Sequence, residues 1–362
     1  ATAVEMRGTD KQQLGVFSYI SVEDRVPRNH PLRGIRCIVD AALQDLDRVL
    51  GAMYAKTGRN SIAPEKLIRA LLLQVFYSIR SERQLMEQLD YNLLFRWFVG
   101  MNLDDPVWDH STFSKNRDRL IEVDIARRLM LAVVEQARGK NLVSEEHFSV
   151  DGTLIEAWAS HKSFRPKNEE PPTGGGRNPE VDFHGERRIN DTHASRTDPE
   201  SRLYRKAKGK EAKLCYAGHA LMENRNGFVV DGRASQATGT AETDAALAMV
   251  NAVPGEHAIT VGGDKGFDTA DFVSGLMAAK ATPHIARNTR NRESAVPEAI
   301  AATEGYAVSQ RFRKRIEEAF GWGKFIGPLG KAMVRGLKKV DWLFKMTMAA
   351  YNMVRLRNLT AI

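Results

Sequence analysis

The sequence predicts an α/β fold in which a mixed sheet is flanked by helices and preceded by an all-α N-terminal domain. Three observations support this prediction. Apolar residues recur at three- and four-residue steps through most of residues 31–143, as in amphipathic helices. Short segments with alternating apolar and polar residues begin at residue 147 and are typical of strands. Helical segments separate these strands, which favours a mixed sheet covered by helices.

Length and charge set the broad class of the protein. A chain of 362 residues is long enough for two domains, or for one large domain with appendages. Its net charge of +8 predicts a polyanionic partner, although charge alone does not distinguish nucleic acid from an anionic membrane. No apolar run reaches the ~18–20 residues that span a bilayer, and the N-terminus lacks a signal-peptide core. We therefore expect a soluble, intracellular protein without a membrane partner.

Cysteine and histidine usage narrows the choice of metal. The chain has two cysteines, Cys37 and Cys215, so neither a disulfide framework nor a cysteine-based zinc site is indicated. The nine histidines form no HExxH pair. A bound metal would therefore be a hard cation held by carboxylate oxygens, Mg²⁺ or Mn²⁺ before zinc.

The N-terminal part is predicted as an arm over residues 1–30 and a helical DNA-binding or dimerisation domain over 31–143. Near the end of this domain, Asp109 or Ser111 can cap a short helix. The cations predicted to project from that helix are Lys115, Arg117 and Arg119. A helix-turn-helix DNA reader has this pattern, and so does a compact packing domain, so both interpretations stay open.

Residues 144–362 are predicted as the catalytic domain. Residues 147–158 alternate as a strand should, and they contain Asp151 followed by Gly152. Glycine at this position leaves room beside the carboxylate for a phosphate or a metal. An Asp-Gly pair is also common in turns, but the flanking alternation favours a strand.

Residues 160–213 are predicted as a long, flexible, basic insertion, because they are rich in proline, glycine and charge and have little apolar periodicity. Aromatic residues are interleaved with the cations, as in segments that bind nucleic acid strands; the alternative is a solvated loop. The cations are Lys162, Arg165, Lys167, Arg187, Arg188, Arg196, Arg202, Arg205, Lys206, Lys208, Lys210 and Lys213, and the aromatic residues are Phe164, Phe183 and Tyr204.

The remaining elements follow from turn and cap signals. Asn226-Gly227 is a strong hairpin signal between two alternating segments. The predicted elements are a hairpin over 214–236, a helix opened by Thr240, a strand ending at Gly263 with Asp264 at its tip, a helix opened by Asp268 or Thr269, a strand over 282–287 and a final helix over 340–359.

The segment from Gln310 to Lys324 is predicted as one helix. At ~100° per residue, Gln310, Arg313, Glu317 and Lys324 lie within roughly 60° of one another. One carboxylate is then flanked by two cations on a single stripe, which suits a metal ligand beside an anionic polymer. The alternative is a basic amphipathic helix in which Arg313 and Glu317 form only an i,i+4 ion pair.

Three carboxylates are candidates for one site. We expect Asp151 and Asp264 at strand ends and Glu317 on the helix to converge, because ligands in such sheets gather at strand ends. Three carboxylates are the minimum that can hold two Mg²⁺ ions roughly 3.5–4 Å apart for an in-line phosphoryl displacement. Lys265, next to Asp264, either holds a phosphate or pairs with a carboxylate.

Four segments together resemble bacterial insertion-sequence transposases of the DDE class, the IS-four/IS-five type group with the signature Y-x2-R-x3-E-x6-K. These segments are SVDGTLIEAWASHKSFRP, SRLYRKAKGKEAKLCYAGHALMEN, GGDKGFD and RFRKRIEEAFGWGK, in the order of that group. The resemblance implies an RNase H-like catalytic fold with Asp151, Asp264 and Glu317 as the triad. The signature spacing selects Glu317 over the neighbouring Glu318.

Arg313 and Lys324 match the signature cations, whereas Gln310 stands where the group has tyrosine, so a role that needs that ring is in doubt and an amide contact to phosphate is expected instead. The expected DNA contacts are Arg313, Lys324, Lys265, Gln310, Lys162, Arg165, Arg205, Lys208, Lys210, Lys115 and Arg117. Trp158 and Trp322 either stack on a displaced base or pack internally.

The function implied by the resemblance is DNA transposition. The protein would use two Mg²⁺ or Mn²⁺ ions to cleave DNA at terminal inverted repeats and join the ends to target DNA. It would act as a homodimer or a larger synaptic assembly in the bacterial cytoplasm, associated with the nucleoid. The alternatives are a catalytically inactive or domesticated DNA-binding regulator and a plain structure-directed nuclease.

Overall fold

The computed structural model describes residues 21–54, 61–168, 188–205, 209, 211–255, 258–290 and 292–360. Helices form the N-terminal part, and a mixed sheet flanked by helices forms the rest, as the sequence predicts. The helices are α1 Val22–Arg25, α2 Pro31–Ala52, α3 Pro64–Phe76, α4 Glu82–Tyr91, α5 Leu93–Val99, α6 His110–Glu122, α7 Ile125–Arg138, α8 Ala241–Val250, α9 Ala270–Ala278, α10 Glu298–Ala301, α11 Glu304–Phe312, α12 Ile316–Phe325 and α13 Leu337–Thr360. The strands are β1 His147–Glu156, β2 Phe164–Pro166, β3 His193–Ser195, β4 Arg202–Tyr204, β5 Lys213–Glu223, β6 Val229–Gln236, β7 Ile259–Gly263 and β8 Ala281–Ile285.

Local sequence signals set several helix boundaries. The carboxylate of Asp109 accepts hydrogen bonds from the backbone N–H groups of Ser111 (2.8 Å) and Thr112, so Asp109 is the cap of α6. Thr269 caps α9 by accepting from the Phe272 N–H. Thr240 occupies the N-cap position of α8, but its side chain makes no capping hydrogen bond. Two of these three caps therefore work through their side chains.

The main sheet is mixed, with the strand order β4-β5-β1-β7-β8 and β6 also paired with β5. The strand pairs β1/β5, β5/β6 and β4/β5 are antiparallel, whereas β1/β7 and β7/β8 are parallel. In the parallel pair of β1 and β7, Ser149 lies opposite Gly262. This register determines which residues of the two strands are neighbours beyond the last paired position.

The hairpin between β5 and β6 has the predicted turn. Gly227 has a φ of 76°, which a residue without a Cβ adopts at little cost. The fully buried carboxylate of Glu223 accepts hydrogen bonds from the backbone N–H groups of the turn and of a neighbouring loop, those of Ser144, Arg225, Asn226 and Phe228. The turn is therefore held from inside by a charged acceptor.

Helix α13 packs on the sheet and also on the N-terminal helices. It contacts β6 and β5 on one side and α7, α2 and α3 on the other. The larger hydrophobic core accordingly takes side chains from Val26 through Leu356, and so includes residues of both predicted domains. A smaller core surrounds β7, β8, α8 and α9.

The segment 160–213 contains strands that its composition did not predict. β2 pairs with β3 in a separate two-stranded sheet, and β4 extends the main sheet beside β5. The described parts of this segment therefore include strands paired in two sheets, where the sequence predicted a flexible insertion. Within the described ranges, every helix is too short or too polar to span a lipid bilayer.

Candidate active site

The two aspartates are brought together by the register of β1 and β7. Ser149 lies opposite Gly262, so Asp151 and Asp264 are each two residues beyond the same paired position. Side chains two residues apart on a strand share one face, and both carboxylates thus belong to neighbouring positions on one face of the sheet. Asp264 directly follows β7, as predicted. Asp151 lies in the middle of β1 instead of at its end, because β1 continues past β7 along β5.

Glu317 comes from the helical segment that faces these strands. The predicted single helix from Gln310 to Lys324 is interrupted, because a 3-10 turn at Arg313–Arg315 separates α11 from α12. Glu317 lies in the first turn of α12 and is exposed. The prediction of one continuous helix is therefore wrong, although Glu317 and Lys324 do lie on the same helix, α12.

One cleft of about 540 Å³ collects these groups. Asp151, Asp264, Glu317 and Lys324 all line it. Asp151 is partly buried, whereas Asp264 and Glu317 are exposed to solvent. The three predicted carboxylates and Lys324 therefore share one cleft.

The electrostatics of the cleft act mainly on Asp151. Burial raises the pKa of the Asp151 carboxyl to about 6, although a hydrogen bond from the Gly152 N–H to its Oδ1 (2.7 Å) opposes the shift. The negative charges of Asp264 and Glu317 raise this pKa further, and the Arg313 guanidinium lowers it. Asp264 and Glu317 are thus both close enough to repel the Asp151 carboxylate, and an added cation would relieve that repulsion.

The cleft contains carboxylate groups of the kind that bind hard cations, but they are not arranged as a finished metal site. Within the described part of the chain, no three aspartate, glutamate, histidine or cysteine side chains are grouped closely enough to hold a metal ion. Carboxylate oxygens are nonetheless the ligands that Mg²⁺ and Mn²⁺ prefer, and three carboxylate side chains line this cleft. The chemical type of these side chains therefore suits a divalent cation.

Further polar residues that line the cleft include Tyr204, His219 and Glu242. Of these three, only Tyr204 was identified from the sequence, as an aromatic residue among the cations of 160–213. His219 lies directly opposite Gly152 in the pairing of β1 with β5. A Cβ on Gly152 would lie 2.3 Å from Glu242 Oε1, so the glycine makes room for a fourth carboxylate. These residues come from β4, β5 and α8, and only the pairing of distant strands brings them together.

His219 is buried and neutral at physiological pH. Burial lowers the pKa of its imidazole to about 4, and the nearby Arg233 acts in the same direction. Its Nε2 is hydrogen-bonded to Ser235 Oγ (2.8 Å), and its buried Nδ1 has no partner among the described residues.

Gln310, which the sequence predicts as a phosphate contact, has intramolecular partners. Its amide nitrogen donates to the backbone oxygen of His284, and its amide oxygen accepts from Arg313 Nε at 2.9 Å. Both the nitrogen and the oxygen of the Gln310 side-chain amide therefore form hydrogen bonds inside the protein. Arg313 packs over Gly262, where its charge acts on Asp151 without lining the cleft.

Arg117 does not project from α6 as predicted. Its guanidinium forms ion pairs with Glu82 and with Asp118 (2.9 Å), and its side chain is only 12% exposed. An arginine held this way links α6 to α4.

The other predicted DNA contacts are distributed over the surface. Lys115, Lys162, Arg205 and Lys265 are exposed, and Arg165 is partly exposed on β2. Lys208 and Lys210 lie outside the described residues.

The two tryptophans differ in their surroundings. Trp322 is partly buried and packs edge-on against Tyr351, with 6.0 Å between ring centroids. Trp158 is 40% exposed, and the Lys331 ammonium lies over its ring at 5.6 Å. Trp322 therefore fits the packing interpretation.

Comparison with known proteins points to transposases for the N-terminal part. Residues 20–119 match a family model described as a transposase domain (DUF772). A solved structure, the cryo-EM synaptic complex of piggyBac transposase with hairpin DNA, aligns with a TM-score of 0.38 and 9% identity, over 92% of this chain and 76% of that chain. No curated protein matches the chain. The matched transposase domain covers the helical part, and the three carboxylates of the cleft lie beyond it.

Proposed function

We propose that this protein is a DNA transposase of the DDE class, with an RNase H-like catalytic half. It would cleave DNA at the terminal inverted repeats of its element and join the ends to target DNA. The observation that supports this proposal best is the shared cleft of Asp151, Asp264 and Glu317, in a chain whose residues 20–119 match a transposase domain. The net charge of +8 suits a DNA partner.

The three carboxylates would hold the divalent cations of the reaction, two Mg²⁺ or Mn²⁺ ions. When bound, such ions supply Lewis-acid activation of a water or a 3′-hydroxyl and stabilise the leaving oxygen. Arg313 has a supporting role, because its guanidinium lowers the pKa of Asp151 and so favours the charged carboxylate that a cation requires.

The cations around the cleft would hold the DNA strand. Lys324 lines the cleft itself, and the exposed Lys265 directly follows Asp264. Other proposed backbone contacts are Lys115, Lys162, Arg165, Arg205, Lys208 and Lys210. Because two element ends must be handled together, we propose that the active form is a dimer or a larger assembly.

The site assignment is tested by Asp151→Asn, Asp264→Asn and Glu317→Gln, each assayed on a duplex with the inverted repeat that flanks the gene. Each variant should lose cleavage by at least ~10³-fold, because a missing charge removes a metal ligand. Binding of the same duplex in Ca²⁺ should be retained. The matched control is Glu318→Gln, next to Glu317 but paired with Arg355, which should cleave normally.

Normal cleavage by any of the three variants would overturn the site. A DNA-binding regulator without nuclease activity is a second candidate, favoured by the absence of a ready-made group of metal ligands among the described residues. In that case the wild-type protein binds the inverted repeat but does not cleave it with either Mg²⁺ or Mn²⁺.

A further inference from the structure

We propose that Tyr204 positions the DNA strand in this cleft by donating a hydrogen bond from its hydroxyl to a backbone phosphate, with its ring packed against the adjacent sugar. This inference rests on the proposed function and assigns a specific substrate contact to one of the aromatic residues interleaved with the cations of 160–213. Its basis is the way β4 is anchored, the surroundings of the side chain and the chemistry of the cleft.

The backbone of β4 is held from two sides. Along one edge, Tyr204 pairs with Lys213 and Leu203 with Leu214 in β5. Along the other, the Asn190 side chain donates to the Leu203 backbone oxygen (2.9 Å) and accepts from the Leu203 N–H (2.8 Å). A two-point amide contact of this kind fixes a three-residue strand that would otherwise fray. Tyr204 therefore has a defined place relative to the sheet.

The Tyr204 side chain faces the cleft, and its hydroxyl is available to donate a hydrogen bond. It lines the same cavity as the three carboxylates and Lys324, and it is partly exposed. None of the described residues hydrogen-bonds its hydroxyl. By contrast, the hydroxyl of the buried Tyr216 donates to Asp198 (2.6 Å), and that of Tyr306 donates to the Ile285 oxygen (2.9 Å). The hydroxyl of a buried tyrosine is satisfied inside the protein in this way, whereas that of the partly exposed Tyr204 is open to solvent and to a substrate.

A phenol suits this place better than a lysine does. Nearby ammonium groups are engaged in ion pairs, since both Lys213 (3.2 Å) and Lys331 (3.0 Å) contact Glu156. A neutral hydroxyl is not drawn to the carboxylates in this way, yet it still donates to a phosphate oxygen with the strength of a charge-assisted hydrogen bond. The ring adds apolar contact at a low cost in conformational entropy. These properties are those of a residue that orients a strand beside acidic groups.

The test uses the full chain with Tyr204→Phe and Tyr204→Ala, and the inverted-repeat duplex in Ca²⁺ as the binding probe. Removing the hydroxyl should weaken binding about tenfold, the effect of a hydrogen bond to a charged group. Removing the ring as well should cost about tenfold more. The control is Tyr91→Phe, a 61% exposed tyrosine on α4 outside the cleft, which should bind as the wild type does.

The contact is located by replacing single phosphates of the probe with neutral methylphosphonates. The penalty of Tyr204→Phe should disappear at one position of the strand and persist at the others. Because this variant keeps the ring, the result stands even where Tyr204→Ala lowers the unfolding temperature.

Two results overturn the inference while leaving the proposed function intact. One is wild-type affinity of Tyr204→Phe in a protein that cleaves normally. The other is a penalty that no methylphosphonate removes, which identifies Tyr204 as a residue that only supports the fold. A wild-type protein that does not bind the inverted repeat overturns both proposals.

Discussion

The surroundings of Asp151 disfavour the charged form of its carboxyl group. Partial burial in β1 and the charges of Asp264 and Glu317 all raise the pKa of its carboxyl, and the result is about 6. Since the usual value is 3.8, the folded state binds a proton more tightly than the unfolded state. The contribution of Asp151 to stability is therefore most favourable at low pH and is lost as the pH rises through 6.

We predict that Asp151→Asn stabilises the metal-free protein at pH 7.5. The free energy of unfolding should rise by about 1–3 kcal/mol, because the amide carries no charge to desolvate. The gain should shrink as the pH falls from 7.5 towards 4, where the wild-type carboxyl is itself protonated. Urea unfolding in EDTA at several pH values measures this. The control Asp104→Asn changes an exposed carboxylate and should give no such trend.

A loss of stability in Asp151→Asn at pH 7.5 would contradict this account. It would mean that the carboxylate makes a contact in the folded protein that outweighs its burial and the repulsion of its neighbours.

At the residue scale, the sequence was most informative where a side chain acts with its own strand or helix. Asp151, Asp264 and Glu317 could be selected because each follows a local pattern, and all three line the cleft. The intramolecular partners of Gln310 and Arg117 could not be predicted, because the backbone oxygen of His284 and the carboxylate of Glu82 lie on distant elements. No local pattern reveals such partners.

At the scale of elements, long periodic segments were predictable and short ones were not. The alternation of residues 147–158 predicted β1, and the Asn-Gly turn between two alternating segments predicted the hairpin of β5 and β6. β2, β3 and β4 are three residues each, too short for a period to be recognised. The break between α11 and α12 also has no local sign. There Arg315 donates to the backbone oxygens of Asn224 and Arg225 in the hairpin turn, a tertiary contact.

Close packing of α13 on the sheet depends on Gly218 in β5. A Cβ at this position would lie 2.6 Å from the fully buried ring of Phe344. We predict that Gly218→Ala lowers the free energy of unfolding by about 1–3 kcal/mol, because neither the ring nor the strand can move away freely. Chemical denaturation measures this change.

The matched control is Gly51→Ala in α2, where a Cβ meets nothing within 4 Å. Alanine should leave stability unchanged or raise it by up to about 1 kcal/mol there, because it is the better helix former. Equal effects of the two substitutions would indicate that α13 is not tightly packed against β5.

At the scale of the whole molecule, the predicted boundary near residue 143 does not separate two hydrophobic cores. α13, from the C-terminal end of the chain, packs against α7 and α2 of the helical part as well as against β6. Lys345 on α13 also pairs with Asp124 (3.0 Å), next to α7, and with Asp341 (2.7 Å). Sequence patterns identified the two parts by their composition, but they hold no information on which helix faces cover each other.

We predict from this shared core that the helical part and the sheet unfold together. Leu129→Ala removes a fully buried side chain of α7 and should cost about 2–5 kcal/mol. If the two parts form one cooperative unit, hydrogen exchange should accelerate equally for the most protected amides of α3 and of β1. The control Arg128→Ala alters an exposed neighbour and should leave both sets unchanged. Faster exchange confined to α3 would mean that the helical part opens alone. Binding of a partner to the helical part would then not affect the stability of the cleft.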